Sequence, residues 1–87
     1  MYVLIVYDVG VEKVVKVHQY LKRYLTWIQN SVFEGEIGEA DFLTIKKKLR
    51  ILINIETDSI LIFQAKSKHV FEKQIIGTEK NETGTII

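Results

Sequence analysis

The chain contains no cysteine. That absence excludes disulfide staples, thiolate nucleophiles and thiolate metal sites, and it fits a reducing compartment. No apolar run approaches the roughly 18 residues of a membrane-spanning helix. Met1 leads directly into a strand-like pattern with no basic segment before it, so neither a membrane anchor nor a secretory leader is expected and the expected location is cytoplasmic. Charge of one sign is not in excess either. Twelve Lys and Arg against 11 Asp and Glu leave a net charge of +1, which by itself does not argue for nucleic acid. Phosphate-cradling glycine loops, catalytic triad patterns and zinc spacings are all missing. His18 and His69 have no second histidine or carboxylate at metal-ligand spacing, and both read as packed or solvated imidazoles.

What remains is an 87-residue chain, 47% hydrophobic and 26% charged, the composition of one small globular domain with little apolar surface to spare. A second copy sharing its core would help it. Position matters more than total charge. Lys13, Lys16, Lys22 and Arg23 fall in one segment and Lys46, Lys47, Lys48 and Arg50 in another, while Glu34, Glu36, Glu39 and Asp41 gather between them.

Residues 2 to 7, YVLIVY, are apolar or aromatic at both alternations, as in a central strand covered on its two sides. From Glu12 to about Leu25 the apolar spacing changes to three and four, and Val11, Val14, Val15, His18, Leu21 and Leu25 predict one helix face with lysines opposite. Residues 26 to 37, TWIQNSVFEGEI, predict two short strands, 25–29 and 32–37, with Asn30-Ser31 as the turn. After Gly38, Phe42, Ile45, Leu49, Leu52 and Ile53 predict a second helix whose amino end is favoured by Glu39 and Asp41. DSILIFQA, 58–65, reads as another strand, and 70–76 as a further short one ended by Gly77. The expected domain is 1–78, followed by a polar tail, 79–87, with a terminal Ile86-Ile87 pair capable of docking.

Strand, helix, strand, strand, helix, strand predicts an α+β ferredoxin-like βαββαβ sheet with both helices on one face, here with an additional C-terminal strand. The other face of such a sheet has no helix of its own. Since 2–7 and SILIF are apolar on both sides, the expected cover is a second copy, giving a homodimer.

Asp8, a carboxylate closing a core strand, is the sharpest chemical feature. It reads either as turn or helix-capping chemistry, or as half of a site for a hard cation such as Mg²⁺. One aspartate holds such an ion poorly, but two facing each other across a two-fold axis would serve. Ser31 and Phe33 read either as a phosphate-positioning hydroxyl and a base-stacking ring or as turn and core residues. The lysine runs read either as solvated helix faces or as a phosphate-binding surface.

MYVLIVYDV, IQNSVFEGEI and DSILIF stand in the order and spacing of the CRISPR-associated protein 2 family, and over about residues 1 to 65 the chain resembles that family. The resemblance implies a ferredoxin-like homodimer in which the last strand of each chain, VFEKQII here, joins the partner's sheet. It also implies a bridge between two dimers of the CRISPR integrase that holds DNA for insertion into a repeat array. Many members are Mg²⁺-dependent endonucleases acting on single-stranded RNA or duplex DNA. Tyr7, Asp8, Ser31 and Phe33 occupy the family's motif positions and are the expected catalytic residues, with Asp8 as the metal ligand; from the lysine runs, Lys13, Lys16, Lys46, Lys47 and Lys48 are the expected nucleic-acid contacts. The chain departs from the pattern where family members often carry arginines at the start of the first helix, since it has Gly10, Val11, Glu12 and Lys13, and where they often carry a basic residue two before the glutamine, since it has Trp27. Lysine lacks the bidentate fork of arginine, so weak cleavage is expected. A non-catalytic adaptor is the alternative. A toxin-like ribonuclease or a small-molecule sensor shares the topology but does not usually join the three segments.

Overall fold

β1 (Tyr2–Asp8) pairs on both of its edges, and the rest of the fold is arranged around it. The structure, a computed structural model, describes residues 1–81. Along the chain β1 is followed by α1 (Val11–Leu21), β2 (Thr26–Gln29), β3 (Val32–Glu36), α2 (Glu39–Leu52) and β4 (Ser59–Ala65). The four strands form one antiparallel sheet in the order β2-β3-β1-β4. This is the expected ferredoxin-like α+β arrangement, with β1 central as its two-sided apolar pattern requires.

The register divides the sheet into two faces, because residues directly opposite in an antiparallel pair point to the same side. Val3, Ile5 and Tyr7 of β1 lie opposite Gln64, Ile62 and Ile60 of β4, and Ile5 lies opposite Phe33 of β3. These line the helix-covered face. There they meet Val17, Tyr20 and Leu21 of α1 and Phe42, Ile45 and Leu49 of α2 in one buried cluster. The alternate positions, Tyr2, Leu4, Val6 and Asp8 with Leu61, Phe63 and Ala65, form the open face. Leu61 and Phe63 remain 54% and 50% exposed. Full burial of such a side chain is worth about 1.5–3 kcal/mol, so a good part of that stabilisation is unrealised in a single chain.

Asn30 turns the β2–β3 hairpin with φ 44°, in the left-handed region that asparagine tolerates. The second helix carries the expected acidic first turn, Glu39 and Asp41, and buries the expected stripe.

Two expectations need correction. The first helix is shorter than 12–25, ending at Leu21, and only part of its expected stripe is buried: Leu21 and, beyond the helix, Leu25 are buried as expected, together with Val17 and Tyr20, while Val11, Val14 and Val15 are exposed, Val11 at 86%. The carboxyl-terminal half of the helix turns toward the sheet, where His18 meets Trp27 of β2 and Phe33 of β3, and its amino-terminal valines stay outside. The further strand expected over 70–76 is not formed in the single chain. A 3₁₀ turn spans Lys68–Val70, and 71–81 run without regular structure. A strand needs an edge to pair with, and this segment instead lies against its own open face. The Phe71 ring rests 6.0 Å from Tyr2, Lys73 pairs with Glu34 at 3.1 Å, and Asn81 donates to the carbonyl of Trp27. The Ile86-Ile87 pair and most of the expected tail lie outside the described residues.

Candidate metal and nucleic-acid site

β1 delivers Tyr7 and Asp8 to opposite faces at its carboxyl end. Tyr7 points into the helix-covered core, its ring 6.3 Å from Phe33, and its amide donates to the Ser31 carbonyl at 3.1 Å. Burial raises the Tyr7 phenol above its ordinary value, opposed by a hydrogen bond with the Ser31 side chain. Phe33 is 0% exposed, with His18 edge-on to it at 5.0 Å and to Trp27 at 6.1 Å. The base-stacking reading of Phe33 is thereby corrected: a ring without exposed surface stacks on no nucleotide. Tyr7, Ser31 and Phe33 do come together, but as the packing beneath the strand end.

Asp8 is exposed on the open face, opposite Ser59. The capping reading does not hold for it. The residue preceding α1 is Gly10, no side chain caps that helix, and among the described residues no hydrogen bond or ion pair reaches the Asp8 carboxylate. Nor, among them, do three or more His, Asp or Glu converge as a metal site. One chain therefore presents one unpartnered hard oxygen donor beside an apolar sheet face. That donor chemistry fits a hard divalent cation once a second carboxylate faces it.

The expected phosphate ligands are placed unequally. Lys16, Lys47 and Lys48 are exposed. Lys46 is half-buried, its Nζ 4.5 Å from the Phe42 ring centre, and it flanks a groove of about 220 Å³ with Leu49, Arg50, Ile53, Ile60 and Ile62. Lys46, Lys47 and Lys48 belong to the helix layer, on the side of the sheet away from Asp8. Lys13 is not a free phosphate ligand. Its Nζ lies 2.6 Å from Oδ2 of Asp58.

Asp58 is the residue that sequence reading passed over. Its carboxylate is 4% exposed and accepts three hydrogen bonds: from the Gly10 amide at 3.0 Å, from Lys13 at 2.6 Å and from the Asn54 amide at 2.8 Å. The only signal available was a carboxylate just before a strand. Its pairing with Gly10 and Lys13 spans 48 and 45 residues, and only the register of β4 against β1 reveals it.

A profile of the CRISPR associated protein Cas2 family matches residues 1–73. The chain belongs to that family. It is 47% identical over 87 residues to the CRISPR-associated endoribonuclease Cas2 of Methanosarcina acetivorans, covering all of both chains. It is similar to a crystal structure of cas2 with TM-score 0.86 and 45% identity, over 92% of this chain and 90% of that one. Streptococcus pyogenes Cas2, solved at pH 6.5, matches with TM-score 0.74 and 32% identity, over 86% of this chain and 99% of that one. Among the described residues no helix is long and apolar enough to cross a membrane.

The ion pair fixes a pH dependence. The hydrogen bond from Lys13, then that from the Asn54 amide, hold the Asp58 carboxyl below its ordinary value; the bond to Asp58 holds Lys13 above its own. A depressed carboxyl contributes stability above its unfolded value, near pH 4, and loses it as pH falls through the folded one. A raised ammonium contributes below its unfolded value, near pH 10, and loses it as pH rises through the folded one. The Asp58→Asn protein is expected to melt below wild type at pH 7, with the gap narrowing below about pH 4 and again above about pH 10. Melting followed by circular dichroism across pH checks this; a constant gap contradicts it.

Proposed function

We propose that this chain is a cytoplasmic CRISPR adaptation protein: a homodimer that binds nucleic acid, associates with the CRISPR integrase and cuts RNA weakly in a metal-dependent reaction. The observation that carries this reading is the Asp8 carboxylate, exposed and unpartnered among the described residues at the margin of an apolar sheet face that is only partly covered. Two such faces brought together bury Leu61 and Phe63 and set two Asp8 carboxylates toward a common axis. The relatives named as endoribonucleases support RNA as the substrate.

Two Asp8 side chains would hold a divalent cation, Mg²⁺ in our reading, which when bound supplies Lewis-acid stabilisation of charge building on a phosphodiester. The chain's own residues do the rest. Tyr7, Ser31 and Phe33 act as the packed support that sets where β1 ends, since two of them are buried. Among the described residues no group of three or more His, Asp or Glu gathers at Asp8, which accords with slow cleavage. Asp8→Asn is expected to lower Mg²⁺-dependent cleavage of single-stranded RNA about a hundredfold or more while the dimer persists in sedimentation. Cleavage at the wild-type rate would remove Asp8 from the site.

One observation favours an adaptor role alongside cleavage. In a dimer joined through its open faces, Lys46, Lys47 and Lys48 lie on the outer helix layer, away from the Asp8 pair. A duplex held there is held without being cut, as a scaffold for the integrase requires. Lys16 and the α2 lysines are our phosphate contacts, with Lys13 assigned to the loop. Reversing Lys46, Lys47 and Lys48 to glutamate is expected to weaken duplex DNA binding most strongly at low salt. It should also reduce the slope of log affinity against log salt by about 2 to 3, as loss of three phosphate contacts dictates. An unchanged slope would place the duplex elsewhere.

A further inference from the structure

We infer that Asp58 is the positioning residue of the Asp8 site, holding the β1–α1 loop so that the exposed carboxylate is presented in one direction. The inference rests on the reading of Asp8 as the metal ligand. Its ground is the way the corner of the fold is built. Asp8 and Ser59 form the last pair of the β1–β4 ladder. Beyond it, Val9 and Gly10 leave the sheet, and the hydrogen bond that holds them to the other strand is the one from the Gly10 amide to Asp58. The dipeptide Asp58-Ser59 thus grips the chain on both sides of the point where Asp8 emerges.

The grip is itself rigid. The turn before β4 closes on Asn54, whose carbonyl accepts the Thr57 and Asp58 amides at 3.1 and 2.7 Å while its own amide donates back to the Asp58 carboxylate. The carboxylate is then committed to Gly10 and to Lys13 on the first turn of α1. Three elements, β1's exit, α1 and the α2–β4 turn, converge on one buried group. A buried carboxylate with charge-assisted bonds tolerates no loss of a partner at small cost, so the arrangement is held in one geometry.

Alternation puts the two aspartates on opposite faces of the same corner: Asp8 on the open face, opposite Ser59, and Asp58 on the helix-covered face. Asp58 therefore contacts no metal or phosphate bound at Asp8. It acts through the backbone, as groups that orient a metal ligand do, and loss of such a group costs about 10–100-fold in metal affinity. The lysine that the arginine-bearing family pattern marks as a phosphate contact here serves the same loop.

The test uses Mn²⁺ as the probe, bound to the full-length dimer and followed by electron paramagnetic resonance. Folded Asp58→Asn is expected to bind Mn²⁺ about tenfold or more weakly, with cleavage recovering toward wild type as Mn²⁺ is raised. A merely structural Asp58 would lower the melting temperature and leave the metal affinity of the folded protein unchanged, and that result overturns the inference. If Asp58→Asn does not fold, Lys13→Gln, which keeps the Gly10 and Asn54 bonds, carries the test: a smaller weakening of Mn²⁺ binding supports the inference and none overturns it. Asp8→Asn separates this from the underlying reading. Mn²⁺ affinity unchanged in Asp8→Asn refutes the Asp8 reading together with the inference built on it. Affinity lost in Asp8→Asn but intact in Asp58→Asn refutes the inference alone.

Discussion

β1 is apolar on both faces, and the two helices among the described residues cover only one of them. From that constraint follow the central place of β1, the packing of Val3, Ile5 and Tyr7 under α1 and α2, and an opposite face on which Leu61 and Phe63 stay half exposed. The C-terminal segment meets part of this face through Phe71 and Lys73 and leaves those two uncovered to that extent. In the dimer we propose, a second copy would complete the burial that the first lacks. The functional reading is a consequence of the same shortage, because the face that lacks full cover is also the face on which Asp8 emerges.

The corner at which β1 ends divides labour between two aspartates one ladder position apart. The Asp58 side chain is only 4% exposed, committed to three donors and depressed in pKa; Asp8 is exposed and free among the described residues. The buried one gives the loop a fixed course, and the exposed one offers its oxygens outward. Beneath them Tyr7, Phe33 and His18 form a ring-packed floor. Residues that sequence motifs group as one set therefore separate into an exposed carboxylate, the ligand in our proposal, and the packing beneath it. The basic residues separate in the same way, with Lys13 drawn into the corner and Lys47 and Lys48 left on the outer layer.

Much of this was legible in the sequence, for identifiable reasons. Two-sided apolarity in YVLIVY marks a central strand, and the order of periods along the chain gives the sheet topology. The phase at the start of α1 was not legible, since Val11, Val14 and Val15 are as apolar as Val17 and Tyr20 and the helical period alone does not rank them. The strand expected at 70–76 has the composition for one but needs a partner edge, which composition does not supply. Asp58 was hidden because its three donors come from residues 10, 13 and 54, and two of those contacts depend on the strand register. Phe33 as core rather than platform was open in the sequence and is decided by its burial.

The central claim is that two chains meet through their open sheet faces with Asp8 near Asp8. The absence of cysteine makes this directly measurable, by placing a single thiol at position 8 and treating the protein with a short bifunctional thiol reagent, with Thr44→Cys on the exposed side of α2 as the control. The account predicts a covalent dimer for Asp8→Cys and little or none for Thr44→Cys. A chain that stays monomeric when linked through position 8, while the helix-layer control cross-links, would contradict it.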